Sequence, residues 1–477
     1  MDLIDCLLIH TPKHAHNSVP FGECLSIMLM PMGLLSLADH LERYGITTRI
    51  LHMGLESTDI EHNFSIIDYL NKHQVKTVGL SLHWHQQSFD VIKIAQEIKK
   101  AIPDIFVFIG GITASYFAYE ILNTFTAVDA VIRGDAYTCI VDLCKSVLVN
   151  RNNLREIPNI IFRKYNGDII GSQFKYVISE KQFNELPFPN IKLLKNWERY
   201  LKIPWVWICN KTQQENEEIP LRFPLSIGLG CNLGCIYCGG CGNAQKEIFC
   251  RNKCLYRSTN SIVKAISDAS IYGIDRFHIC YNPAGKHDDA YYTELFSKIK
   301  ALHRVLDVSF ECWGLPSRNL IDYFSRTFHS SSIITISPET GVESIRSICK
   351  GFFYTNQDLI QCLEYMQTKR VNTTIFFTSG LPCESLGDIR ATSLFQRQLL
   401  KQFPSINILS MPIELEPGSP MYVEPQKYGV IKHRKTFVDF YQAHKNSQVS
   451  LGYSTNYLTE AEILSYSSSL LVNCTLI

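Results

Sequence analysis

The strongest constraint on this chain is an alternation. Short apolar runs take turns with longer stretches of helical periodicity, in two separate series. In the first, LIDCLLIH (3–10), TTRILHM (47–53), TVGLSLHW (77–84), IFVFIGG (105–111) and AVDAVIRGD (127–135) read as strands. Between and after them, MGLLSLADHLERYG (32–45), FDVIKIAQEIKKA (89–101), SYFAYEIL (115–122) and TCIVDLCKSVL (138–148) read as helices. Strand–helix units in such a series predict an α/β domain with a doubly wound, mostly parallel, flavodoxin-like sheet. Sheets of this kind bind ligands beyond the carboxyl ends of their strands, where the strand order reverses.

The second series starts at Leu225. LSIGL (225–229), RFHIC (276–280), DVSFECW (307–313), IITIS (333–337), NTTIFFTSG (372–380) and INILSMPIEL (406–415) read as six strands with helices between them. Six units fall short of a full eight-unit barrel and predict a partial (β/α)6 barrel. Between the series the alternation lapses into NGD, LPFPN and the polar run NKTQQENEEIP. The expected organisation is therefore a first domain over 1–150, a linker with a few short strands over 151–220, a second domain over 221–420 and a carboxy-terminal extension over 421–477. That extension carries no readable chemical motif.

Charge narrows the partners. Lys plus Arg number 46 against 45 Asp plus Glu, so bulk attraction to nucleic acid or an anionic membrane is not expected. The start MDLIDCLLIH lacks the basic-then-apolar order of a signal peptide, and no run has the length of a membrane span. A cytoplasmic protein is expected. Its 17 cysteines are odd in number and mostly scattered in apolar runs, which reads as buried thiols rather than a disulfide framework.

One stretch departs from that scatter. CNLGCIYCGGCGNAQKEIFCRNKC (231–254) holds six cysteines directly after a strand. Cys231, Cys235 and Cys238 are spaced C-x3-C-x2-C, and thiolates suit iron–sulfur clusters, zinc or copper(I). Structural zinc asks for four protein ligands; three thiolates on a cluster leave one iron open to a ligand. Cys241, Cys250 and Cys254 follow no ligand spacing and read as thiols without a metal role.

With Tyr237 before the third cysteine, this loop resembles the signature of the radical S-adenosylmethionine (SAM) enzymes. The resemblance implies a 4Fe-4S cluster on Cys231, Cys235 and Cys238, with SAM on the open iron. ISPETG (336–341) resembles the family's fourth-strand segment and implies SAM contacts for Ser337 and Glu339. GLPCES (380–385) resembles the fifth-strand segment, which brings Gly380 and Glu384 into the expected SAM site; Cys383 stands where the family has glycine. ELEPGSPMY (414–422) resembles the family's Pro-Gly turn after the sixth strand. The Gly-Gly-Glu of the second strand is absent, and HICYNPAG (278–285) stands there.

A five-unit sheet ahead of such a barrel resembles the cobalamin-binding domain of the cobalamin (B12)-dependent radical SAM enzymes. PMGLLSLADHLERYG, VGLSLHW, FIGGITAS and VIRGD carry the likeness. It implies cobalamin contacts for Gly33, Leu34, Ser81, Gly110, Gly111 and Gly134. The D-x-H-x-x-G segment of many corrinoid proteins is absent from HTPKHAHNSVPFG (10–22), so the lower ligand of cobalt is left open among His14, His16, His83, His85 and none.

The whole resemblance implies an enzyme with three cofactors, a 4Fe-4S cluster, SAM and cobalamin. The expected reaction is transfer of a SAM-derived methyl group, by way of the corrinoid, to an unactivated carbon of a small-molecule or peptide substrate. The alternatives are a non-methylating rearrangement, cyclisation or ring contraction with the same cofactors, and a non-catalytic tetrapyrrole- or metal-binding protein. An electron donor such as flavodoxin or ferredoxin is the expected partner, with no nucleic acid and no membrane.

Overall fold

In the first sheet, β1 (Cys6–His10), β2 (Thr48–His52), β3 (Thr77–Ser81), β4 (Phe106–Gly110) and β5 (Ala130–Ile132) are joined by β6 (Ile160–Arg163) and β7 (Ile169–Gly171). The structure is a computed structural model. It describes residues 3–11, 30–57, 64–151, 153–201, 222–279, 288–351, 353–445, 450–467 and 470. The strand order is β2-β1-β3-β4-β5-β6-β7, parallel through β5 and antiparallel beyond. The first five strands have the flavodoxin-like order, with its reversal between β1 and β3. β1 is buried along its whole length because helices cover both faces. Cys6 and Leu8 enter one hydrophobic core while Leu7 and Ile9 enter another.

The sheet runs on past residue 150, into the stretch expected as a linker. There β6 and β7 form a hairpin whose turn is the NGD segment. Gly167 takes φ +90°, and the Lys164 amide donates to Asp168 O at 2.8 Å. A glycine in the left-handed region lets the chain reverse without a side-chain clash.

The second sheet contains β8 (Phe223–Pro224), β11 (Arg276–Ile279), β12 (Asp307–Cys312), β13 (Ile333–Glu339), β14 (Asn372–Ser379) and β15 (Asn407–Pro412). All neighbours are parallel, in the order β15-β14-β13-β12-β11-β8. The expected first strand, LSIGL, is divided. The chain leaves the sheet after Leu225, whose amide donates to His278 O. It then forms β9 (Gly228–Leu229) against β10 (Leu255–Tyr256), which closes the cysteine loop at its base. Burial alternates along β12 and β13. Val308, Phe310, Cys312, Ile334 and Ile336 pack into the core, leaving Ser309, Glu311, Thr335 and Ser337 on the other face.

The carboxy-terminal extension ties the two sheets together. The antiparallel pair β16 (Val430–Lys432) and β17 (Tyr453–Thr455) frames the helix Phe437–Lys445. From that helix Phe437 and Phe440 stack on Phe117 of the first domain, with ring centres 5.7 and 5.8 Å away. From β17 the Tyr453 hydroxyl donates to Gly380 O at 2.6 Å in the second domain. Among the described residues, no helix is long and apolar enough to cross a membrane.

Candidate cofactor sites

The cysteine loop lies between β9 and the helix Gly242–Phe249. It is held from several sides. Ile236 N donates to Cys349 O, Met421 N donates to Ile236 O, and Gly239 N donates to Glu416 Oε2 at 2.6 Å. Each of the three spaced thiols accepts a backbone amide. Leu233 N lies 3.4 Å from Cys231 Sγ, Gly351 N 3.4 Å from Cys235 Sγ, and Gly240 N 3.3 Å from Cys238 Sγ. Gly351 comes from the far side of the loop, and a Cβ there would lie 2.4 Å from Gly234 N. Only glycine admits so close an approach.

Burial pushes the Cys231 thiol up to about 11 and the Cys238 thiol well above its ordinary value. Both hold their protons at neutral pH unless a metal displaces them. Among the described residues no three His, Cys, Asp or Glu side chains converge as ligands of a single ion. A four-iron cube asks for something else, since each thiolate bonds its own iron and the sulfurs receive N–H donors. The residues present fit such a cluster better than a single zinc. Cys241, in contrast, is buried against Ala244 and Ile248, and Cys250 is exposed at the end of the helix.

Beside the loop, Glu339 ends β13 across a register shift and takes φ +67°. Left-handed backbone at a glutamate costs about 1 kcal/mol and persists only where its surroundings enforce it. Here the enforcing group is Arg346. Fully buried, it donates to Pro338 O at 3.2 Å and Thr340 O at 2.6 Å, gripping both neighbours of Glu339. Lys350 Nζ donates to Glu339 Oε1 at 2.6 Å. Tyr237 borders the same carboxylate; burial first, then the charge of Glu339, raises its phenol well above the ordinary value. From β12, Glu311 faces this group. Burial and the neighbouring Glu339 push its carboxyl up to about 7. The structure thus gathers Cys231, Cys235, Cys238, Tyr237 and Glu339, and adds Arg346, Lys350 and Glu311. Sequence reasoning missed those three, although a polar residue at an alternating strand position marks Glu311. Ser337 is half-buried two residues before Glu339, on the face shared with Glu311.

Gly380 and Glu384 form a separate turn. A Cβ on Gly380 would lie 2.5 Å from the Tyr453 hydroxyl and 2.9 Å from Ile463, so the open side of this glycine is filled by the carboxy-terminal extension. Glu384 is fully buried and accepts the Gly380 amide at 2.7 Å. Both brace the turn from within.

At the first sheet, strand register sets His52, His10, Ser81 and Gly110 side by side at the carboxyl edge. The His10 and His52 rings lie 4.7 Å apart. Burial holds both imidazoles neutral, lowering His52 to about 4 and His10 well below its ordinary value, with the nearby His52 and His83 adding to the effect on His10. The glycine pair divides in role. Gly110 sits on the edge, whereas Gly111 has φ +118° and a Cβ there would strike Leu82 O at 2.4 Å. Gly111 therefore serves the crossing of two backbone segments. Gly33 is exposed, with nothing within 4 Å of a built Cβ, and the neighbouring Leu34 is half-buried. Gly134 donates its amide to Ser115 Oγ and packs over Ile248 of the second domain. Of the histidines named from sequence, His14 and His16 lie outside the described residues. His83 is exposed, and His85 is buried with its Nδ1 3.2 Å from His444 Nε2 of the carboxy-terminal helix.

Residues 22–143 match the family model of the B12 binding domain. The chain superposes on TsrM from Kitasatospora setae, a radical S-adenosylmethionine methyltransferase solved with tryptophan substrate and a SAM analogue. The TM-score is 0.69 at 14% identity, over 97% of this chain and 87% of that one. Its fold is that of the cobalamin-dependent radical SAM enzymes. TsrM with cobalamin and a [4Fe-4S] cluster gives a TM-score of 0.66 at 13% identity, over 92% of this chain and 84% of that one. The cobalamin-dependent radical SAM enzyme OxsB with aqua-cobalamin gives 0.59 at 14% identity, over 94% of this chain and 56% of that one. In sequence, hopanoid C-3 methylase of Methylococcus capsulatus is 28% identical over 136 residues, 28% of this chain. That match spans about a quarter of the relative's length.

Proposed function

We propose that this chain is a cobalamin-dependent radical SAM methyltransferase that alkylates an unactivated carbon of a small-molecule or peptide substrate. The observation that carries the reading is the set of three backbone amides aimed at the sulfurs of Cys231, Cys235 and Cys238, two of them from within the loop and one from Gly351. The B12-binding match over residues 22–143 supplies the second half. The names of the similar proteins, which include methyltransferases and a methylase, favour methyl transfer over a rearrangement.

When bound, these cofactors supply a 5′-deoxyadenosyl radical and a transferable methyl group. The chain's own residues bind and orient. Cys231, Cys235 and Cys238 would hold three irons of the cluster and leave the fourth open to SAM. Glu339, fixed by Arg346 and partnered by Lys350, would offer carboxylate oxygens to SAM hydroxyls, with Ser337 and Tyr237 next to it. Gly380 and Glu384 shape the neighbouring turn. Ser81, Gly110, Gly33 and Leu34 would line the corrinoid, and Gly111 and Gly134 would set the loops around it. Burial keeps His10 and His52 unprotonated there at neutral pH.

The test is anaerobic reconstitution of the full chain with iron, sulfide and hydroxocobalamin. We expect about four irons and one corrinoid per chain, and 5′-deoxyadenosine on addition of SAM and a strong reductant. Candidate substrates are then screened for a product one methyl group heavier. No corrinoid uptake overturns the assignment of the first domain. Product without added mass moves the reaction to the rearrangement class, and absence of 5′-deoxyadenosine favours a binding protein.

A further inference from the structure

A hydrogen-bonded chain crosses from the first domain to the cysteine loop. It begins at Asp135, next to Gly134 on the loop that follows β5. Asp135 Oδ1 accepts Arg251 Nη2 at 2.6 Å, and the other carboxylate oxygen accepts the Ile178 amide. Arg251 Nη1 donates to Gln245 Oε1 at 2.6 Å. Gln245 Nε2 donates to Gly240 O at 3.1 Å. The amide of the same Gly240 donates to Cys238 Sγ at 3.3 Å. Both charged members are held out of water, with side-chain exposures of 4% for Arg251 and 9% for Asp135. Arg251 also lies across Gly230, the residue before Cys231; a Cβ there would meet its Cδ at 2.7 Å. The guanidinium stacks on Phe249 with 5.4 Å to the ring centre.

Each link restrains the next. Glycine has the widest backbone freedom, so the direction of the Gly240 amide is set by what grips its peptide groups. On one side that grip is Glu416 on the Gly239 amide, and on the other it is Gln245 on the Gly240 carbonyl. Gln245 is in turn held by an arginine whose charge is fixed to the other domain. A bidentate guanidinium bonded to a carboxylate and an amide oxygen is a directional brace.

We propose that Gln245, Arg251 and Asp135 are positioning residues that aim the Gly240 amide at Cys238 and so set the reduction potential of the cluster held there. The first domain thereby holds one end of the device that tunes the cluster. This inference rests on the cluster assignment made above. Hydrogen bonds to cluster sulfurs stabilise the reduced, more negative state, so weakening one lowers the potential.

The experiment is an EPR-monitored redox titration of the reconstituted full chain without SAM or substrate. Gln245→Met and Asp135→Ala should keep the full iron complement and shift the midpoint to more negative values. Lys253→Ala, in an exposed pair on the same stretch, should leave it in place. Asp135→Ala decides against simple electrostatics, because removing a negative charge by itself shifts the potential the opposite way. A midpoint that stays put or rises in Asp135→Ala, with iron intact, overturns the inference. Where a variant loses iron, amide hydrogen exchange at Gly240 in cluster-free protein replaces the titration: faster exchange in both variants supports the brace, and an unchanged rate overturns it. A wild-type chain that takes up no cluster overturns the underlying assignment, a result distinct from a normal cluster with unmoved variants.

Discussion

Lys350 Nζ lies 2.6 Å from Glu339 Oε1, with side-chain exposures of 4% and 11%, and the carboxylate it holds sits on left-handed backbone. The pair is therefore built around a strained residue rather than a relaxed one. Breaking a buried ion pair by removing one partner costs about 3 kcal/mol, since the other charge is left without compensation. Lys350→Met should lose roughly that much stability in urea denaturation of the cluster-free protein. A loss under about 0.5 kcal/mol would show that solvent already screens the pair. Glu339→Gln removes the charge paired with Lys350 and should cost a similar amount of stability, and in the reconstituted protein it should weaken SAM binding about tenfold or more by calorimetry.

The turn at Gly380 gives a second prediction. Its φ of +84° and the Tyr453 hydroxyl 2.5 Å from a built Cβ leave no room for alanine. Gly380→Ala should destabilise by about 2 kcal/mol or more. Tyr453→Phe removes only the hydrogen bond to Gly380 O and should cost about 1 kcal/mol. If both variants melt like wild type, the carboxy-terminal extension is not seated on this turn.

Glu384 makes stability depend on pH. Burial pushes its carboxyl up to about 8, while the unfolded carboxyl ionises near its ordinary value of 4.5. Between these values the folded chain binds the extra proton, so this group's contribution is fully present below about 4.5 and is lost as pH rises through about 8. Glu384→Gln cannot ionise and should flatten part of that decline. Denaturation midpoints at several pH values across the window provide the measurement, and parallel curves for the two proteins would refute it.

The six cysteines should separate by experiment as they do by position. Replacing Cys231, Cys235 and Cys238 together with alanine should abolish iron–sulfur absorbance. Cys241→Ala should leave the iron content unchanged. Cys250 ends the helix Gly242–Phe249 with φ +55°, a place where glycine is preferred. Cys250→Gly should therefore raise stability by about 1 kcal/mol with iron unaffected. Loss of iron in either single variant would give that cysteine a ligand role.

Much of the carboxyl edge of the first sheet was legible in the sequence because it follows from period and order. Ser81 and Gly110 lie at the ends of strands whose alternation with helices dictates a parallel sheet, so their meeting at the carboxyl edge follows. The three spaced cysteines are local too, all within eight residues. The linker expected after residue 150 was harder to read. β6 and β7 are short, and only pairing with β5 makes them part of the sheet.

What the sequence determined by itself is the strands and helices of the two alternating series and the residues confined to their ends. Backbone periodicity and glycine chemistry act over a few residues and leave a readable trace. Tertiary structure alone decided which distant groups meet. Asp135 and Arg251 are separated by 116 positions, and Tyr453 and Gly380 by 73. An arginine that braces a buried carboxylate carries the same local signature as one on the surface. Packing of the two domains gives Arg251 its partner Asp135, and packing within the second domain gives Arg346 and Lys350 theirs, in each case by removing water from between the groups.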